Sequence, residues 1–388
     1  MLDGFDVVVV GGGVFGAAGA LELRQRGHQV LLIDPGPLPH PAASSTDISK
    51  VIRMDYGADV FYMRLMERAI DGWRHWNDLW ERPLFHEVGF LLLTRSPISS
   101  GSFEGDSFET LKARGHQPER LDAAAIPGRF PAWAEGEYTD GYFNPEAGWA
   151  ESGAVVAQLL AMGRQAGVEV QAGVKVTRLL ERGGSVVGVD TTDGSKECGT
   201  VVVAAGAWTP QLVPELRPMV WPVGQPVLHF EARPLQAFQP PQFVTWAADI
   251  AATGWYGFPA LDDGTLKIAN HGRGRRLAPS GDAQVLPAEI QRFRGFLQES
   301  LPDLARAPQI GSRVCFYADS WDGDFYIDRV PERPGLVVAS GGSGHGFKFA
   351  PVLGGIIADA VEGVESEESL RFGWRPAGGR TSEQARHM

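Results

Sequence analysis

Cysteine is scarce in this chain of 388 residues: Cys198 and Cys315 are the only two. They imply no disulfide framework and fit a reducing compartment. Positive charge is also in deficit. Thirty-five Lys and Arg stand against 47 Asp and Glu, a formal net charge of −12. An acidic chain repels phosphate backbones, so a nucleic-acid partner is not expected, although a local basic cluster can still hold a small anion. No apolar run reaches the roughly 18 residues that span a bilayer, and no membrane partner is expected. Met1 to Asp6 lacks the basic start and cleavage site of a secretory leader, which makes the cytoplasm the expected location. The patterns GxxxxGKS, GxxxxGKT, HExxH, CxxC and GxSxG are all missing. P-loop, zinc and serine-hydrolase chemistry therefore have no residues to rest on, and no metal site is expected.

What is present is a globular composition, 44% hydrophobic and 21% charged, in a chain long enough for two or three domains. Glycine (49) and proline (27) are frequent enough to mark many turns and close backbone approaches. Asp6 to Val10 reads as a buried parallel strand, Ala17 to Arg26 as a helix with Gly27 at its end, and His28 to Ile33 as a second strand closing at Asp34. Asp59 to Glu81 reads as a long helix whose Trp73, Trp76 and Trp80 share one buried face. Ser152 to Ala166 is a further helix. Val168 to Val170, Val174 to Leu180, Val186 to Thr191 and Thr200 to Val203 are strands, with turns at Gly183-Gly184 and Asp193-Gly194. From Met219 to about Gly311, prolines, aromatics and short alternating runs suggest an antiparallel sheet. Gly335 to Ser340 is one more apolar strand, and Pro351 to Val361 a helix.

Gly11, Gly13 and Gly16 form a GxGxxG turn between the first strand and its helix. Gly11 permits the tight turn, Gly13 lets the backbone approach a pyrophosphate, and Gly16 lets helix and strand pack closely. Asp34 lies 23 residues after Gly11, where a carboxylate can accept ribose hydroxyls. The set predicts a dinucleotide site without separating FAD from NAD. The strand running into Ala204-Ala205-Gly206-Ala207, and the return of the same texture near the C-terminus, favour FAD by fold-level analogy.

The most specific residues are Arg313-Val314-Cys315-Phe316-Tyr317, Asp324-Phe325-Tyr326-Ile327-Asp328 and Gly341-Gly342-Ser343-Gly344-His345-Gly346-Phe347-Lys348-Phe349. With the N-terminal motif they resemble the monomeric sarcosine oxidase family of FAD-dependent amine oxidases, within the D-amino acid oxidase superfamily. That group includes N-methyltryptophan oxidase, pipecolate oxidase and the Amadori (fructosyl amino acid) oxidases. The resemblance covers nearly the whole chain. It implies an α/β protein, α+β overall, in which a discontinuous Rossmann-like FAD-binding domain carries an inserted antiparallel-sheet substrate domain. The expected division is 1–85, 146–218 and 320–375 for the first domain, 86–145 and 219–319 for the second, and 376–388 as a frayed tail. A monomer is the implied state.

The resemblance also assigns roles. Cys315 matches the cysteine bonded to the flavin 8α carbon, whereas Cys198 has only a structural context. Lys348 and Arg53 match the residues that hold the substrate carboxylate, with Gly344 beside them. Tyr256, in Tyr256-Gly257-Phe258-Pro259, matches a tyrosine over the substrate. Lys267 matches the lysine that assists oxygen reduction, His271 contacts the substrate side, and Tyr317 joins the catalytic group. Gly344, His345, Gly346, Phe347 and Lys348 line the flavin. Val14, Phe15, Ser44, Val176, Ala205, Gly206 and Trp208 complete the expected cofactor contacts. In the segment Ser49-Lys50-Val51-Ile52-Arg53-Met54-Asp55-Tyr56, Lys50 stands beside the flavin where sarcosine oxidase has arginine, and Thr46 replaces a family histidine. These departures, with the Thr-Asp-x-Ser-Lys pattern at Thr46 to Lys50, turn the expectation away from sarcosine toward fructosyl amino acids, saccharopine or pipecolate.

The implied activity is oxidation of a secondary amino acid by hydride transfer to flavin and then to O2, releasing an imine and hydrogen peroxide. Three alternatives stand beside it. A primary amino acid or glycine oxidase would not use Cys315 for attachment. A flavin dehydrogenase with another acceptor would not need Lys267. A non-catalytic flavin-binding redox sensor would need none of Tyr256, Lys267, Cys315 and Lys348.

Overall fold

The computed structural model describes residues 4–279 and 283–379. Its first sheet is built on Phe5–Val10, whose valines are enclosed on both faces, as a strand covered by helices on either side must be. Val30–Asp34 and Gly194–Val203 flank it in parallel register, Leu336–Ser340 joins Gly194–Val203, and Glu169–Ala172 joins Val30–Asp34. A chain segment more than 300 residues downstream thus shares a sheet with the N-terminal strand. Val176–Arg182 and Ser185–Thr191 form an antiparallel meander on the first half of Gly194–Val203.

The helix Val14–Gln25 starts one turn earlier than the sequence indicates. Gly27, at φ +100°, ends it: its amide bonds back to Arg24 O and the His28 amide to Leu23 O. Ala17, Ala18, Ala20 and Leu21 give it a small, buried face that packs on Ala350–Glu362 and Ser152–Ala166. The tryptophan stripe behaves as a packing face. Trp73 is fully buried in Val60–Leu79, with Trp76 against it and Trp80 beyond.

The second sheet has nine strands, drawn from residues 90–144 and 220–320. Val220–Glu231 is its long member, antiparallel to both Thr265–Asn270 and Gln309–Ser320. One parallel pair interrupts the pattern, Phe90–Thr94 with Thr245–Ala248. The helix Pro287–Ser300 also lies in this region, where the sequence suggested strands alone. Its Phe293, Phe296 and Leu297 recur at helical spacing, and Trp255 stacks on Phe296 at 4.5 Å. A small third sheet joins Lys50–Ile52, Phe85–His86 and Gly148–Ala150. Cys198 lies inside the strand Gly194–Val203 rather than before it. Of the tail expected from residue 376, residues 380–388 lie outside the described residues, as do residues 1–3 of the N-terminus. No helix among the described residues is long and apolar enough to cross a membrane.

Candidate active site

A cavity of about 510 Å³ opens beyond the C-terminal ends of the parallel strands, where open α/β sheets bind ligands. Val10, Asp34, Ala204 and Ser340, each at or just after a strand end, form one side. Phe90, Ala247, Tyr256, His271 and Tyr317 from the nine-stranded sheet and its flanks form the other.

At the first side the glycine turn behaves as its spacing requires. Gly11 has φ +108°, and a Cβ there would stand 2.6 Å from Ala204 O. A Cβ on Gly16 would meet Gly11 O at 1.9 Å, so Gly16 is needed for packing and does not itself line the cavity. Gly13 differs: a Cβ there would meet only Ser45 Oγ, at 3.3 Å, and the residue lines the cavity. The first turn of Val14–Gln25 holds no acidic residue, so its positive end is not neutralised locally. Asp34 is buried and oriented by two amides, Gly12 N at 2.8 Å and Gly36 N at 2.9 Å. Ser44, Val14, Phe15, Val176, Ala205, Gly206 and Trp208 also line the space.

The cavity as a whole gathers cations. Lys50, Arg53, Lys175 and Lys348 line the cavity, and Asp34 is the sole carboxylate among its described lining residues. Arg53 is nearly buried, its guanidinium over the rings of Tyr56 and Phe103. Lys348 follows the tight turn Gly344–Phe347. Its carbonyl accepts the Trp73 indole N–H at 2.8 Å, and its ammonium donates to Tyr56 Oη at 3.1 Å. Gly344, at φ +80°, passes directly beneath Tyr317; a Cβ there would lie 2.3 Å from the ring. Gly346 is likewise pressed against Phe15. Tyr256 and Tyr317 bring their hydroxyls within 3.3 Å, and burial pushes the Tyr256 phenol well up, so it stays protonated. The His271 ring lies 6.0 Å from that of Tyr317.

Two expected residues sit behind the wall rather than on it. Cys315 is buried with Val227, Ala269 and Tyr317, and its Sγ is 3.8 Å from the carbonyl of the lining residue Ser44. Lys267 is enclosed. Its ammonium donates to Ser49 O at 2.5 Å, pairs with Asp47 at 2.7 Å and lies over the Phe258 ring. Burial lowers Lys267 to about 8 against the pull of Asp47. Burial would raise Asp47, but Lys267, His229, Lys50 and Arg313 together hold it well below the usual carboxylate range.

Three residues close to the site carried no role in the sequence reading. Asp47 is the first. Asp55 is the second: it is fully buried, accepts from Tyr142 Oη and balances Arg53, with burial raising its carboxyl. Tyr56 is the third. Asp55 and Tyr56 belong to the same short segment as Arg53, and Asp47 to the pattern at Thr46–Lys50, so their proximity to the motifs was the available signal.

A family model described as FAD dependent oxidoreductase (DAO) matches residues 6–360. The chain belongs to this family. Among curated relatives, N-methyl-L-tryptophan oxidase of Salmonella heidelberg (strain SL476) is 30% identical over 364 residues, covering 92% of this chain and 95% of the relative. Monomeric sarcosine oxidase of Bacillus sp. (strain B-0618) is 27% identical over 371 residues, covering 94% of each. Among solved structures, fructosamine oxidase (Amadoriase II) of Aspergillus fumigatus superposes with a TM-score of 0.82 at 24% identity, covering 96% of this chain and 90% of that one. The mixed α/β fold expected from the sequence is thus shared with DAO-family structures.

FAD fits the residues present. The helix N-terminus with no acidic residue in its first turn, the Gly13 position open toward the cavity and the amide-oriented Asp34 carboxylate suit a pyrophosphate and a ribose. The preponderance of cations suits an anionic cofactor and an anionic substrate.

Proposed function

We propose that this DAO-family enzyme oxidises secondary amino acids, N-alkyl or cyclic, and passes the electrons to O2 with release of hydrogen peroxide. The observation that carries the reading is that Arg53 and Lys348, both set against the Tyr56 ring, line the same cavity as the Tyr256–Tyr317 pair. Two cations spaced in this way suit a carboxylate, with a guanidinium able to grip it in bidentate fashion. They also disfavour an ammonium nearby, so a bound amine is held neutral with its lone pair available. Bound FAD supplies a two-electron acceptor. Asp34, the sole described lining carboxylate, is committed to the Gly12 and Gly36 amides, so no carboxylate base faces the substrate. That favours transfer of a hydride equivalent over proton abstraction. Tyr256, protonated throughout the working range, orients the amine by donating or accepting a hydrogen bond and does not act as a base. The imine product leaves and hydrolyses in water.

Covalent attachment through Cys315 belongs to the same reading, supported by its place beside the lining residues Ser44, Phe316 and Tyr317. So do Lys267 as the group assisting oxygen, the division of the chain at residues 85, 145, 218 and 319, a monomeric state and a cytoplasmic location. N-substituents larger than methyl are included because Lys50 and Thr46 depart from the sarcosine oxidase pattern. The test is peroxide release from purified enzyme offered sarcosine, N-methyl-L-tryptophan, pipecolate, saccharopine and fructosyl-glycine. Turnover of one or more, lost in Arg53→Ala, supports the reading. Turnover of primary amino acids alone, or dye reduction with no peroxide, sinks it in favour of a glycine-type oxidase or a dehydrogenase.

A further inference from the structure

Lys267 leaves the strand Thr265–Asn270 with its whole side chain enclosed, and a buried ammonium needs a counter-charge. Asp47 provides it at 2.7 Å, its own side chain 2% exposed. The loop that carries Asp47 is pinned. Ser152 Oγ and Gly153 N, at the start of the helix Ser152–Ala166, both donate to Asp47 O, and the Ile48 amide donates to Asp47 Oδ1. Arg313 holds the preceding turn by donating to Thr46 O and Ala43 O. Around the one carboxylate stand Lys267, Lys50 at 3.7 Å, His229 at 3.6 Å, and the charge of Arg313. His229 is directly opposite Lys267 on the paired strand Val220–Glu231. Cys315 is the remaining titratable group that acts on Lys267. Asp47 therefore links a cation on the cavity wall, Lys50, to one behind it.

We propose that Asp47 is a positioning residue for Lys267: its carboxylate fixes where the ammonium sits behind the cavity wall and keeps it protonated at working pH. The use of that ammonium in the oxygen half-reaction rests on the function proposed above; the hold of Asp47 on it does not. Burial alone drives Lys267 toward the neutral amine, and Lys50 pushes the same way, while Asp47 opposes both. Without the carboxylate charge, Lys267 loses its proton at a lower pH.

The test is Asp47→Asn, which keeps the side chain's shape and removes its charge. Holoenzyme is labelled with carbon-13 lysine, and the Lys267 Cε signal is assigned by its loss in Lys267→Met. The titration midpoint of that signal is expected to fall by about 1–3 pH units. The high-pH limb of flavin reoxidation, followed in rapid mixing of pre-reduced enzyme with O2, is expected to move with it. The double variant Asp47→Asn/Lys267→Met should reoxidise as Lys267→Met alone, and its neutral pair is the form in which a buried ion pair is best replaced. Lys50→Met removes the repelling cation and should move the Lys267 midpoint up, which tests the shared carboxylate even where Asp47→Asn does not yield folded protein. An Lys267 midpoint unmoved in either single variant overturns the proposal. So does a loss from Asp47→Asn that is just as large in the Lys267→Met background. Unchanged reoxidation in Lys267→Met removes the oxygen role from Lys267, while the midpoints still decide whether Asp47 holds it.

Discussion

The Lys348 ammonium donates to the Tyr56 phenol oxygen at 3.1 Å, and the phenol in turn lies 2.9 Å from His345 Nδ1. The direction of this chain can be worked out. His345 Nε2 is 2.9 Å from Gly323 O, an acceptor only, so Nε2 carries a proton, and in the neutral imidazole Nδ1 keeps the lone pair. With the imidazole neutral, the Tyr56 proton points at His345, leaving the phenol oxygen to receive Lys348.

Tyr56→Phe takes away that acceptor. A hydrogen bond to a charged donor is worth about 1.5–3 kcal/mol, so KM for a carboxylate substrate should rise roughly tenfold or more, with kcat changed less. Steady-state peroxide assays decide it. A fall in kcat at constant KM would remove Tyr56 from carboxylate binding.

The glycines of the first turn should separate cleanly. Gly16→Ala places a methyl 1.9 Å from a backbone oxygen that cannot yield, so a loss of stability of at least about 1–3 kcal/mol is expected in denaturant melts of the apoprotein. Gly13→Ala meets only a serine hydroxyl at 3.3 Å. It should leave the apoprotein's melting point nearly unchanged and weaken FAD binding. Equal effects of the two on stability would refute this division of labour.

Acid precipitation tests the Cys315 link. Yellow colour is expected in the pellet of the wild type and in the supernatant of Cys315→Ser. Colour in the supernatant for both would show FAD held without a bond.

The oxygen half-reaction should depend on pH through Lys267. Its folded value, about 8, lies below the usual lysine value. The ammonium is thus present below about pH 8 and lost as pH rises through it, so reoxidation should be fastest on the acid side and decline above. Lys267→Met should be slow at every pH. A wild-type rate that climbs through pH 8 would contradict a role for the protonated form.

The βαβ unit, its glycines and Asp34 were legible because each answers a local demand of backbone geometry or periodicity. Cys315, Arg53 and Lys348 were legible only through resemblance, since nothing local distinguishes a lone cysteine or lysine. Asp47 and Asp55 were hidden for a different reason. Their importance lies in neighbours 200 or more residues away, as with Lys267, or in a buried tyrosine hydroxyl on another strand, as with Tyr142. The helix Pro287–Ser300 was missed although its phenylalanines keep helical spacing, because the surrounding prolines and alternating runs outweighed that short pattern.

The Leu336–Ser340 strand and the turn that follows it supply part of the cavity side to which Val10 also belongs. A nascent chain halted anywhere before residue 348 therefore has the glycine turn but no enclosed chamber for it to face. Cofactor acquisition should follow synthesis of the chain through Lys348, and truncation before Gly341 should abolish FAD binding rather than merely trim an end. Prematurely terminated products should accordingly emerge colourless and be cleared as unfolded chains.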